Sequence, residues 1–481
     1  MKTIKIFSAI FAVLLVSSCS DMLDKVPYAA ISEASFYKTE ADAEMAVNSV
    51  YSQLHNGNTF NAFSFLPDIW AGDAVKGGGG PGDTAELTQF EDWDIQNNNS
   101  FCKNRWTAFF KGVYLANTAI KKISEMDDFS TKNRYIGEAK FLRALYYFSL
   151  VNDFGKLPII TDPDQEDIKT ISRSSVEDVY KLIEADLNDA IASLPTTYSG
   201  NDVGRATKGS AQGLLGRVYL FTKEWQKAAD IYSQVIKSGT YSLMPDYETN
   251  FLNEGGDNLP ESLFEVQYTA NSGNTGNGFQ RHGWCRPRDV PEISWGGNGF
   301  AEPTESLAKE FEPGDLRRPA TVMVEGDLVW DNNGELTTVY HSSWSPYSGY
   351  NAKKYIYGPE AIHQECYANF KLIRYSEILL GYAEAVLNGA SGNAGISGLQ
   401  ALNIVRNRAG LDDISALSFD AIMHERRVEF ALEGLRFYDV IRWGKGPEVF
   451  GPKFNAGKDE LMPVPESELL MNPNLGQNPG Y

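Results

Sequence analysis

The chain has 481 residues, with 63 acidic against 43 basic side chains and a formal charge of −20 at neutral pH. That balance excludes a nucleic-acid binder, which needs basic patches to meet phosphates, and it excludes a polybasic membrane-docking face. Hydrophobic residues make up 42%, ordinary for a globular protein, and the length suits one large or two medium domains.

The chain opens MKTIKIFSAIFAVLLVSSC: Lys2 and Lys5, an apolar run from Ile6 to Val16, then Ser17, Ser18 and Cys19. The run is shorter than the roughly 20 apolar residues of a spanning helix and has the charge asymmetry of a secretory signal. Leu15-Val16-Ser17-Ser18-Cys19 resembles the bacterial lipobox, which implies a signal peptide over 1–18 and an acylated Cys19, palmitate being among the expected chains. Each buried CH₂ of such a chain is worth about 0.8 kcal/mol, so several on one residue hold a protein on a membrane. Losing Lys2 and Lys5 takes the formal charge from −20 to −22. No later segment offers a spanning stretch. Cys102, Cys285 and Cys366 then remain, enough for at most one disulfide, and no CxxC pair points to zinc or redox chemistry.

Helical periodicity recurs over Glu40–Leu54, Phe101–Met126, Asn133–Phe154 and Ser175–Leu194, and again over Tyr367–Leu387, Ile396–Ala409 and Phe419–Trp443. The clearest pair lies between these groups. Leu214, Leu215, Val218 and Tyr219 form one stripe; Trp225, Ala228, Ala229, Tyr232, Val235 and Ile236 form the next, with a turn near Thr222–Glu224. Leu215-Gly216-x₂-Tyr219, Ala228 and Tyr232 match tetratricopeptide intervals, in which small residues let two helices approach. One such pair cannot bury its faces alone, so about four are expected to stack, over about 40–240 and 363–443.

Three stretches interrupt the helices: Pro67–Ser100 with its tetraglycine run 77–80, Pro245–Pro303, and Arg317–Pro359 with strand-like Thr321–Val324 and Thr337–Tyr340. Their aromatic content argues against disorder and for binding loops on a rigid scaffold, in ligand-face insertions over about 67–100 and 245–360. The tetraglycine run lacks the Lys-Ser/Thr of a phosphate loop and reads as a mobile surface loop. His424-Glu425 starts like a zinc-protease motif, but Val428 stands where the second histidine belongs. Asp162, Asp164, Glu166 and Asp167 lack the spacing of a calcium loop and read as a solvated acidic turn. No cofactor is expected, and a structural calcium ion stays open.

Several segments together resemble the SusD/RagB family. They are Glu138–Ala144 continuing through Tyr146-Tyr147-Phe148 to Phe154-Gly155-x-x-Pro158; Gly204–Gly209; Arg374–Leu380 with Ala383-Glu384-Ala385; Glu425-Arg426-Arg427-x-Glu429-Phe430 with Glu433-Gly434-x-Arg436 and Arg442-Trp443-Gly444; and the ending from Pro463 to Tyr481. Asp21-x-Leu23-Asp24-x-x-Pro27 matches the usual mature start, and its acids resemble a surface-export signal. The resemblance runs in order along 19–481, read as one SusD-like domain. It implies a mainly α, tetratricopeptide-like scaffold with long irregular insertions carrying short β segments. It also implies a non-catalytic lipoprotein of the outer membrane, facing the exterior. Such a protein captures an oligo- or polysaccharide and passes it to a TonB-dependent, SusC-like transporter, for which it serves as lid in polysaccharide utilisation.

The family landmarks themselves read as scaffold. Arg426, Glu429, Glu433, Arg436 and Asp439 fall three or four apart, as an ion-pair ladder on one helix would, and Arg143 and Glu138 read alike. Ligand candidates are sought in the loops, because sugar C–H faces stack on aromatic rings while hydroxyls need polar partners. Trp93 with Asn97 and Asn98 offers both halves; Asp73, Trp284, Trp295 and Trp344 complete the set. Peptide capture, a glycoside hydrolase using two of the many carboxylates, and a peptide-binding repeat adaptor are the alternatives.

Overall fold

The computed structural model describes residues 36–253, 255–269, 278–293, 297–331, 335–356 and 366–481. Cys19 and Trp295 lie outside the described residues.

Eight helices form four successive pairs: α1 (Glu40–Ser52) with α2 (Ser100–Glu125), α3 (Lys132–Phe154) with α4 (Val176–Ser193), α5 (Lys208–Phe221) with α6 (Trp225–Ser238), and α7 (Tyr375–Leu387) with α8 (Gly398–Arg408). Each pair also packs on the next, α2 on α3, α4 on α5 and α6 on α7, so apolar faces that one pair leaves bare are covered by its neighbour. Polar side chains start most of these helices. Thr39, Thr207 and Ser397 make reciprocal caps with Asp42, Ser210 and Gln400, while Asn99 and Ser175 accept from free first-turn N–H groups. The tetratricopeptide spacing has a direct physical basis. The fully buried Tyr232 ring of α6 lies in a notch made by Gly216 of α5 and Gly381 of α7; a Cβ on Gly381 would sit 2.6 Å from that ring, and one on Gly216 would overlap it.

Two expected helices differ in extent. The stretch from Tyr367 begins as a strand, β8 (Phe370–Arg374), because it completes an antiparallel pair with β2 (Ser262–Val266), over a hundred residues upstream. Phe419–Trp443 is two helices, α9 (Phe419–Glu429) and α10 (Arg436–Arg442), since Leu432 (φ 61°) and Gly434 (φ 75°) turn the chain into the left-handed region. Gly434 N–H then donates to Asp68 Oδ1 at 2.9 Å.

The expected single-helix ladder is therefore a buried, three-dimensional network. Arg374, 2% exposed, donates to Glu261, Glu429 and Glu433 at 2.7, 2.8 and 2.7 Å. Arg317 and Arg408 also hold Glu429, and Arg426 of α9 reaches Asp439 of α10 at 2.8 Å. Burial alone would raise the Glu429 carboxyl; Arg408, Arg374 and Arg317 overcome it and hold the group well below the usual carboxylate range. Arg143 pairs with Asp186 at 2.7 Å, and Glu138 accepts from Arg205 at 3.0 Å, so both landmarks of α3 brace neighbouring helices.

The remaining strands are short and, among the described residues, pair two by two: β1 (Ala74–Gly77) with β3 (Phe300–Pro303), β4 (Val322–Met323) with β7 (Asn351–Ala352), and β5 (Leu328–Trp330) with β6 (Leu336–Val339). Cys102, Cys285 and Cys366 are buried and form no disulfide among the described residues. Lys121 pairs with Asp162 and Asp164 at 2.7 and 2.9 Å, which offsets part of the acidic turn's charge. No described helix is long and apolar enough to cross a membrane.

Candidate functional site

Three insertions, far apart in the chain, meet at one edge of the scaffold. The first supplies β1 and the glycine turn after it; the second supplies β3; the third supplies the turn Tyr347–Ser348. Val75 stands opposite Glu302 and Gly77 opposite Phe300, and the pairing continues as Gly78 N–H donates to Gly299 O at 2.7 Å. This approach requires glycine. Gly78 has φ 80°, and a Cβ there would sit 2.6 Å from the Phe300 ring.

The turn is held from both sides. Lys76 Nζ donates to the Gly80 and Pro81 carbonyls at 2.9 and 3.4 Å. Asp83 accepts from Gly79 N–H at 2.8 Å and pairs with Arg288 at 2.6 Å. The tetraglycine run is thus a pinned turn and not the mobile loop its composition suggested. Arg288 keeps 40% of its side chain exposed beside it. The Tyr347 hydroxyl comes next to Gly80, and the residue is 49% exposed. Half-buried Trp284 rests on Phe300, Phe63 and Phe65 with ring centroids 5.4, 4.8 and 6.5 Å away. Half-buried Trp344, three residues before Tyr347, meets Tyr340 and His341 edge-on.

Under this face Glu302, 2% exposed, accepts from Tyr347 N–H at 3.1 Å, Ser348 N–H at 2.8 Å and the Ser348 hydroxyl at 3.2 Å. Burial pushes its carboxyl up to about 7 despite those three donors. The edge therefore presents a phenol ring, a guanidinium and the part-exposed Asp83 carboxylate paired with it around a glycine turn: stacking surface and hydrogen-bonding groups together.

The expected residues divide. Trp284 and Trp344 lie on two of the three insertions that build this edge. Trp93 does not serve it: the residue is 8% exposed, with its ring among Trp70, Phe437, Phe450 and Phe454, so it anchors its loop in the core and has no free face to stack. Asp73 is likewise structural, 1% exposed and paired with Arg427 at 2.8 Å and Arg436 at 3.3 Å. Asn97 gives its carbonyl to Glu466 N–H at 2.9 Å, which ties it to the C-terminal segment, and Asn98 is exposed on the turn leading to the α2 cap. Arg288, Asp83 and Glu302 were not legible as site residues. The available signal was a pair of glycine-rich stretches in different insertions, 77–80 and 296–299, a pattern that favours close main-chain approach.

Stacked helix pairs whose inserted loops converge on one aromatic and polar edge define a helical-repeat binding protein. Residues 260–481 match the model of the SusD family, and 21–220 match one described as starch-binding, associating with outer membrane. A solved laminarin-binding SusD-like protein is 30% identical, with the match covering 92% of this chain and all of that one at a TM-score of 0.79. Surface glycan-binding protein A from Bacteroides fluxus is 27% identical over 92% of this chain and all of its own, at a TM-score of 0.81. SusD-like protein P2 of Formosa agariphila is 28% identical with both chains fully covered. The chain belongs to the SusD family.

Proposed function

We propose that this chain is a cell-surface glycan-binding lipoprotein, anchored in the outer membrane through Cys19, which delivers captured oligo- or polysaccharide to a TonB-dependent, SusC-like transporter as its lid. The convergence of three separate insertions on the Gly77–Gly80, Arg288 and Tyr347 edge carries this reading, since it is the arrangement that sugar rings and hydroxyls require. The laminarin-binding relative supports a β-glucan-type polymer as the first ligand to try. The charged landmarks that a hydrolase reading would draw on are consumed in the buried ion pairs around Arg374 and Arg317, which supports binding without catalysis.

Affinity gel electrophoresis against a polysaccharide panel tests this. Tyr347→Ala should weaken retention by about 1–2 kcal/mol, the scale of one lost ring contact, with folding unchanged because the side chain is exposed. Unaltered migration of wild type in every polysaccharide, together with retention of peptide ligands, would move the ligand class to peptide. Co-purification with an outer-membrane barrel tests the lid role.

A further inference from the structure

The Tyr347–Ser348 turn is hydrogen-bonded to β3 through the side chain of Glu302. Glu302 projects from β3, the strand that also fixes the glycine turn through β1, and its carboxylate receives all three donors of the turn described above. Among the described residues no cation neutralises it, because each charged neighbour is engaged elsewhere. On and beside β1, Asp73 pairs with Arg427 and Arg436, and Lys76 is turned to the Gly80 and Pro81 carbonyls. After β3, Lys309 pairs with Glu305; on the third insertion His341 pairs with Glu325 and Lys353 with Glu248. Across the glycine turn Asp83 and Arg288 pair with each other, and Tyr340, Tyr347 and Tyr350 also lie on this side, with the Tyr340 hydroxyl facing Gly349 O at 3.4 Å.

We propose that Glu302 is the positioning residue of the ligand edge, and that its proton clamps the Tyr347 turn, so that glycan capture tightens in acid and loosens in base. The sign follows from linkage. A carboxyl that binds its proton more tightly with the turn docked over it than in water favours the docked arrangement as pH falls. With the docked group near 7 and a solvated glutamate near its ordinary 4.5, docking weakens as pH rises between those values and is level above the higher one. A neutral acid still accepts from both amides, so protonation relieves the cost of burying a charge that no cation meets, a larger effect than the weakening of those hydrogen bonds.

The binding half of this inference rests on the glycan reading; the clamp does not, and two measurements separate them. Hydrogen exchange on the unliganded full chain, corrected for intrinsic pH dependence, should show the Tyr347 and Ser348 amides losing about tenfold or more protection from pH 5 to pH 8 in wild type, and little in Glu302→Gln. Laminarin retention in affinity gels should fall by a comparable factor over the same range in wild type and stay level, at the acid value, in Glu302→Gln. Equal exchange profiles in the two proteins overturn the clamp. A clamp seen in exchange, with retention absent at every pH, overturns the link to capture and the laminarin assignment while leaving the clamp in place.

Discussion

Single side chains here are tuned chiefly by what else is buried with them. His424 shows the opposite balance to Glu302: its Nδ1 lies 2.8 Å from Glu310 and its Nε2 3.2 Å from Glu312, so both nitrogens face acceptors. The hydrogen bond it donates to Glu310, against a smaller burial penalty, raises its pKa above 6.5. A histidine raised on folding contributes stability that is fully present below the unfolded value and is lost as pH rises through the folded one. Urea unfolding should therefore give wild type an advantage over His424→Gln at pH 6 that disappears by pH 9; an advantage constant across that range would show the ring acting through packing alone. The histidine's separation from metal chemistry was legible at once, because Val428 occupies the second ligand position. Its two carboxylate partners were not, since Glu310 and Glu312 stand more than a hundred residues upstream.

At the scale of helices, local pattern and fold agree wherever partners are close in sequence. Leu215-Gly216-x₂-Tyr219 with Ala228 and Tyr232 gave the α5–α6 pair because the contacts that matter fall within one hairpin. Gly216→Ala should consequently cost about 1–3 kcal/mol in chemical denaturation, as the added methyl meets the Tyr232 ring with Gly381 already at its far side. Gly82→Ala is the control: nothing lies within 4 Å of a Cβ there, and the midpoint should move by under about 0.5 kcal/mol. Equal effects at the two positions would remove the notch as the reason for glycine. Where partners are remote, periodicity misled. Phe370–Arg374 alternates as readily as it fits a helix, and only β2 decides between them. The α9–α10 break came from Leu432, whose side chain gives no sign of a left-handed backbone. Trp93 belongs to the same lesson: an aromatic next to polar loop residues looks like a sugar platform until four core rings are found around it.

For the molecule as a whole, ordered landmarks along the entire mature chain made the family and the stacked-helix architecture readable, while the ligand edge was not, because it exists only where three insertions meet. The proposed anchor at Cys19 is a question for the whole protein in its cell. Cys19→Ala should abolish incorporation of labelled palmitate and move the protein from the outer-membrane to the soluble fraction, with the folded body unchanged; membrane retention of the variant would place the attachment elsewhere.

The close approach of Gly78 to Gly299 separates what holds the edge together from what it displays. Main chain meets main chain there and the Asp83–Arg288 pair adds a side-chain tie, so the exposed Tyr347 ring, and not Arg288, is the part of the edge that can be rewritten without disturbing the joint. A change of ligand preference can thus be sought in that one ring while both glycine runs and the buried acid beneath them stay in place.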